Sequence, residues 1–304
     1  MSTTFLDYNA QIKNLKKQNL IIDNESTSIE ILSKISYYGL INGYKNVFKD
    51  PVTNKYITGT TFNDIYQMYL YDAALREIFL KYILIVERHI KSSISYHFSE
   101  LYGNGMADYQ NFSNYDFGNH KTQVQKLFQK INNKISGKNA SPQIKYHLSL
   151  YHDVPIWVLM TDLTLGETAT IYRFLKGTCK TAVCNDFHHI GRADLGKMLI
   201  LLTKSRNICA HGNRLFNLHT GDSILDCVAH KKLRISQTKG LYLHGKSDLF
   251  AVVISLKYLL DITTFRSFYY ELKKVIKKYS PPNTILQEMG FPSNWMSILR
   301  IKVY

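Results

Sequence analysis

No stretch of this chain is apolar for long enough to span a bilayer. The nearest candidate, LFAVVISLKYLLDI, carries Lys257 inside it and meets Asp261 near its end, short of the roughly 18 residues a span needs. The amino terminus, MSTTFLDYNAQIKNLKK, has neither the basic start nor the apolar centre of a secretory signal, so a cytoplasmic protein with no membrane partner is expected. Cysteine is scarce. The four, Cys179, Cys184, Cys209 and Cys227, are too few for a disulfide framework and lack the paired spacing of a zinc site. Cys179 and Cys184 stand near His188 and His189, but reduced structural thiols fit that spacing better than a metal cluster, and neither metal nor cofactor is expected. Acidic residues are also short, 23 against 38 lysines and arginines, which gives a formal charge of +15. Such a charge gathers polyanions, either nucleic acid or an anionic membrane surface.

What is present is helical periodicity. NAQIKNLKKQNLII sets Ile12, Leu15, Asn19 and Ile22 at steps of three and four, with lysines opposite. A second helix opens at Ser26 to Ser28 and runs through IEILSKISYYGL, with Gly39 and Gly43 as its stops. Thr61 and Asp64 form a capping-box pattern ahead of the longest run, FNDIYQMYLYDAALREIFLKYILIVERHIKSSISYHFSELYG, which is one long helix or two in line. Pro155 opens PIWVLMTDLTLG, Gly166 ends it, and ETATIYRFLKG follows as a short helix. ADLGKMLILLTKSRNICAH is the next. KKLRISQTKGLYLHG alternates around a turn, so a small hairpin is expected near 233–243. SDLFAVVISLKYLLDITTFRSFYYELKKVIKKYS reads as one long helix ending before Pro281. The fold class expected is all-α, with an N-terminal helical module over 1–58, a helical domain over 59–280 and a tail over 281–304 packing on that domain.

RNICAHGNRLFN, Arg206 to Asn217, stands out because it places Arg, Asn and His where an apolar helix ends. One reading is a plain helix C-terminus, whose dipole suits His and Arg and which Gly212 stops. The other is a metal-free RNA-cleaving centre. There the 2′-hydroxyl attacks its own phosphate, and the protein moves protons and stabilises charge on the phosphoryl oxygens. Histidine can do the first near neutrality, and arginine offers a fork matched to phosphate. Positions five apart on a helix diverge by about 140°, so Arg206 and His211 meet one phosphate only if the helix ends at the histidine or a symmetric dimer brings two copies to one groove. Asn207 could orient either group, and Asn213 and Arg214 add polar and cationic contacts.

At RNICAHGNRLFN the sequence resembles the end of a HEPN domain, with its R-x(4-6)-H motif, in the form found in Abi D/F-type abortive-infection proteins. NLKKQNLIIDNESTSIEILSKISYYGLINGY is similar to that family's amino-terminal module. YLYDAALREIFLKYILIVERHIKSSISYHFSELYG resembles its central helix, with Tyr71-Asp72, Leu75-Arg76 and Glu87-Arg88 in the expected places, and PIWVLMTDLTLGE resembles its Pro-x-Trp segment. The likeness covers most of residues 10–220. It departs at Ile41-Asn42-Gly43-Tyr44, where an aromatic pair is frequent, at Thr161 or Asp162, where Glu is frequent, and at Phe216, where Trp is common. The resemblance implies a HEPN-like helical bundle and an RNA-cleaving anti-phage toxin. It also implies a homodimer with facing motifs, restrained by a small noncoding RNA or another antitoxin. Catalysis would fall to Arg206, Asn207 and His211. The alternative is a non-catalytic basic protein that binds a noncoding RNA.

Other candidates divide evenly or fall to structure. Glu87-Arg88 could orient Arg206 by a charge-assisted pair or be an ordinary ion pair. Arg76 and Lys91 could reach the RNA backbone or be solvated. Adjacent His188 and His189 point about 100° apart on a helix, which argues against a shared ion. His97, His147 and Trp157 are expected in the core, and so are most tyrosines, including members of the Tyr37-Tyr38 and Tyr269-Tyr270 pairs. KKVIKK reads equally as a solvated helix end or an RNA contact, and a membrane-surface role for this basic helix is a third possibility.

Overall fold

The computed structural model describes residues 4–137, 140–188 and 190–303, so His189 of the adjacent histidine pair lies outside the described residues. Among the described residues the chain is all-α apart from one tiny hairpin and three isolated β-bridges. Helix α1, Tyr8–Lys17, starts where the Asp7 carboxylate accepts the Ala10 amide, and α2, Glu25–Ile35, where Asn24 does the same for Thr27. The expected stops of α2, Gly39 and Gly43, are not its stops. Ser36 ends it with a left-handed φ of 72°, its amide bonded to Leu32 and its hydroxyl accepting the Gly39 amide. Both glycines fall later, in and after a π-helical turn, Tyr38–Asn42.

Helix α3, Phe62–Tyr102, is a single helix of 41 residues. The Thr61–Asp64 capping box starts it, and no proline or glycine interrupts it before Gly103. At 1.5 Å per residue it runs about 60 Å, and it packs against most later helices. A short α4, Met106–Tyr109, leads to α5, Lys121–Ser136, α6, Pro142–Tyr151, and α7, Ile156–Asp162. Gly166 does not end α7. Thr164 ends it by opening a new capping box with Glu167 for α8, Leu165–Phe174, so Gly166 sits inside that helix. A side chain there would press on Thr203 of a neighbouring helix, its Cβ 3.2 Å from the methyl, which explains the glycine by close approach. Helix α9, Gly177–Asn185, carries Cys179 and Cys184 into the core as free thiols.

Helix α10, Arg192–Ala210, crosses α3 and packs on α8. Beyond it come α11, Val228–Lys232, and two-residue strands β1, Gln237–Thr238, and β2, Leu241–Tyr242, paired antiparallel within the span expected for a hairpin. The long basic helix expected after residue 247 is two. Helix α12, Leu249–Leu259, ends at Leu260, and Asp261 caps α13, Ile262–Tyr279, by accepting the Thr264 amide. Every residue of α12 is buried, Lys257 included, as suits a helix apolar on all sides. After α14, Asn283–Glu288, the chain lays Met289, Phe291, Trp295 and Ile298 on the core, with the Phe250 amide bonded to the Met289 carbonyl. Among the described residues no helix is long and apolar enough to cross a membrane.

His230, fully buried, holds this C-terminal part together. Its Nδ1 accepts the Cys227 amide at 3.1 Å and its Nε2 donates to the Gly245 carbonyl at 2.7 Å, so the folded ring is neutral. Burial lowers its pKa, chiefly by desolvation. The unfolded histidine, with a reference value of about 6.5, takes a proton first as pH falls, so this contribution to stability is present above that value and declines below it. Denaturant midpoints are expected to drop between pH 7.5 and 5.5 more steeply for the wild type than for His230→Gln; parallel curves would remove His230 from the cause.

Candidate active site

The end of α10 is built from the inside outward. Leu195, Met198, Leu199, Leu201, Leu202 and Ser205 bury one side of the helix and fix its rotation. That leaves Asn207 and His211 exposed, one turn apart and about 40° from each other around the axis. His211 is the terminal residue, its amide bonded to the Asn207 carbonyl at 3.0 Å. Gly212 then takes a φ of +67°, the Asn213 amide returns to the Ile208 carbonyl and the Gly212 amide to Cys209, a Schellman ending. The helix therefore stops at the histidine, one of the two conditions under which Arg206 and His211 can serve one phosphate.

Arg206 lies on a flank of α10 against α3. Its Nε is 3.7 Å from Glu87 Oε2, an ion pair too long for a hydrogen bond, and both atoms are buried without another partner. Lys91 donates to the other oxygen, Glu87 Oε1, at 2.8 Å. Among the described residues the two Nη groups of Arg206 meet no acceptor, and 31% of the side chain remains exposed, so the outer fork is free for an anion. Glu87→Gln would keep the shape and remove the charge. On the reading of this helix end as an RNA-cleaving centre, the change is expected to slow cleavage about tenfold, roughly 1.4 kcal/mol at the barrier, with RNA affinity near wild type and a lowered thermal midpoint, since Lys91 and Arg206 lose the buried charge they share. A fall in affinity equal to the fall in rate would mean that Glu87 does not position Arg206 for the reaction.

The segment after His211 is tied down by Asp72, a wholly buried carboxylate on α3. It accepts the Phe216 amide at 2.7 Å, the Leu215 amide at 3.0 Å and the Tyr44 hydroxyl at 2.8 Å, and it pairs with Arg76. Burial pushes the carboxyl up from its ordinary value, against the pull of Arg76, Tyr44 and the two amides. Every contact comes from a donor, so a proton on Asp72 would displace one of them. Arg76, weighed from sequence between RNA backbone and solvent, is in neither place; it is buried beside Asp72 and Tyr44. Arg214 donates to the Gly43 carbonyl at 2.8 Å, and Tyr44 stacks on Phe216 with centroids 5.8 Å apart. Two positions where the sequence departs from its resemblance thus touch each other. Asn213 is exposed.

Exposed Arg88 and half-buried Lys91 open onto a groove of about 840 Å³ along α3 that reaches Tyr96, Met160 and Trp157. Trp157, expected in the core, is 48% exposed on the groove wall, because α7 turns Ile156, Leu159 and Met160 inward instead. His97 bonds Asp186 through Nε2 at 3.1 Å. Cys209, between Arg206 and His211, is buried, which pushes its thiol up to about 12. Among the described residues no three His, Cys, Asp or Glu side chains gather as metal ligands would. Asp72 and Tyr44 are noticed in the sequence only through the resemblance, and their role as an anchor is not; a carboxylate within an apolar stripe, four residues before an arginine, is the signal that would have shown it.

The model of a family described as Abi-like protein matches residues 30–217. No curated protein and no solved structure matches the chain. The matched span takes in Tyr44, Asp72, Glu87 and the whole of Arg206 to Asn217, and it ends before α12.

Proposed function

Because the chain belongs to the Abi-like protein family, we propose that it serves abortive-infection defence as a metal-independent endoribonuclease of the HEPN type. The observation that carries this reading is the end of α10, where Arg206 leans on Glu87 while Asn207 and His211 stand in solvent one turn apart. The free fork of Arg206 binds the scissile phosphate and offsets the charge that grows on its oxygens. His211 takes the proton from the 2′-hydroxyl as its oxygen bonds to phosphorus, and an imidazolium returns a proton to the departing 5′-oxygen as that P–O bond breaks. The products are a 2′,3′-cyclic phosphate and a 5′-hydroxyl. Asn207 orients the phosphate or the ring.

A second copy belongs to this reading. Two α10 ends related by a two-fold axis give one groove two histidines, one as base and one as acid. Restraint by a small noncoding RNA or another antitoxin belongs to it as well, since free cleavage would harm the host. The test is end-labelled RNA incubated with purified protein in EDTA after co-purifying nucleic acid is removed. Cleavage to cyclic-phosphate ends is expected. Cleavage that stops in EDTA would sink the metal-independent step, and intact RNA with binding retained would favour a non-catalytic RNA-binding protein.

A further inference from the structure

A second groove, of about 770 Å³, runs along the opposite flank of α10. One wall is α10 itself, through Gly196, Lys197, Ile200 and Lys204; the other is α8 and the start of α9, through Arg173 and Lys180. Arg192 closes its far end. Five cationic side chains line it against two carboxylates, Asp116 and Asp222. Among the described residues only Lys204 is neutralised in an ion pair, with Asp222; Arg173, Lys180, Arg192 and Lys197 have no carboxylate within pairing distance. Burial lowers the Lys180 pKa, and the charges of Arg192 and Arg173 add to that push against the pull of Asp116. Four unpaired cations in one concave site repel each other until an anion arrives.

The helix phase says where this groove leads. Lys197, Lys204 and His211 follow at seven-residue intervals, which on an α-helix leaves each about 20° from the last and about 10 Å further along the axis. The cationic face of α10 and the face that presents His211 are therefore one face. The groove on α3 fits a polyanion less well: its Lys91 is already held by Glu87, and Glu100 stands in its wall.

We propose that the α8–α9–α10 groove holds the phosphate backbone of the RNA strand whose cleaved linkage lies at His211, an assignment that rests on the reading of this chain as an RNA-cleaving enzyme. Lys197 of α10 takes a phosphate on one side of the strand, with Lys204 held back by Asp222, and Arg173 and Lys180 take phosphates from the other. Bases are left facing outward, so the groove sets the direction of entry without reading sequence.

The experiment is a salt titration of RNA affinity. The probe is a fluorescent oligouridylate of about 16 nucleotides, and His211→Ala is the parent so that the probe stays whole. Removing two cations from the groove, R173A with K197A, is expected to flatten the plot of log affinity against log salt by about 1.4, since each single-strand phosphate contact contributes about 0.7. Removing two exposed lysines of α13, K273A with K277A, is expected to leave the slope near that of the parent. An unchanged slope in the groove variant, or an equal change in the α13 variant, overturns the groove while RNA binding by the parent keeps the enzyme reading alive. A parent that binds no RNA overturns the reading beneath it. Should the alanine pair unfold, R173Q with K197Q carries the same comparison.

Discussion

His211→Ala is expected to lower the rate of RNA cleavage by about a hundredfold to ten-thousandfold, the range that general acid–base groups supply. It is expected to leave the fold intact. The His211 side chain is exposed and makes no hydrogen bond among the described residues, and its backbone amide bonds Asn207 whatever side chain it bears. A surface change of this kind shifts stability by no more than about 0.5 kcal/mol. RNA affinity is expected to stay close to wild type, because Arg206 and the lysines of α10 remain. The informative result is thus a split, with rate lost and both binding and thermal midpoint kept. Wild-type cleavage by the variant would show that the nuclease resides elsewhere or in a contaminant. A variant that binds less RNA and assembles differently, beside a wild type that never cuts, would assign His211 to a scaffold.

Asp72→Ala is expected to have the largest effect on stability, a loss of roughly 3–5 kcal/mol, because it strands a buried guanidinium. The Leu215 and Phe216 amides and the Tyr44 hydroxyl lose their acceptor in the same stroke. Arg76→Met is the useful comparison. It removes the ion pair and leaves the carboxylate its two amides and the hydroxyl, so it should cost distinctly less than Asp72→Ala. Equal losses in chemical denaturation would mean that the ion pair alone matters and that the loop after His211 is held by something else. Cleavage should fall with Asp72→Ala even at temperatures where the variant is folded, since the turn that follows His211 is no longer anchored to α3.

Much of this architecture is legible before any coordinates, and the illegible parts have physical reasons. The start of α3 is written in Thr61 and Asp64, and its length in the absence of proline and glycine up to Gly103. The end of α2 is not, because Ser36 adopts a left-handed conformation that its residue type does not announce, while Gly39 and Gly43 draw the eye further on. The break at Asp261 hides inside an apolar pattern that continues on both sides, and only the capping amide of Thr264 reveals it. Helix α9 is not legible either, because GTCKTAVCN is made largely of poor helix formers and its buried face rests on Cys179, Val183 and Cys184 alone. The site divides the same way. Arg206, Asn207 and His211 declare themselves by residue type and by the glycine after them. Tyr44 and the cations of the α10 groove do not, for Tyr44 stands 28 residues before the carboxylate it serves, and the cations, spread over three successive helices, acquire meaning only when those helices pack together.

Helix α3 touches the motif twice, through Glu87 at Arg206 and through Asp72 at Leu215 and Phe216. The two carboxylates are fifteen residues apart on one unbroken helix, a separation of about 22 Å in rise and about 60° in rotation. Those values are a gauge to which the segment from Arg206 to Phe216 is cut. A residue inserted between them would turn one anchor by about 100° relative to the other and lengthen the gauge by about 1.5 Å, so Arg206 and the loop after His211 could not both be seated. The helix therefore tolerates a change of length before Asp72 or after Glu87, whereas one between them would unseat one end of the segment that both carboxylates hold.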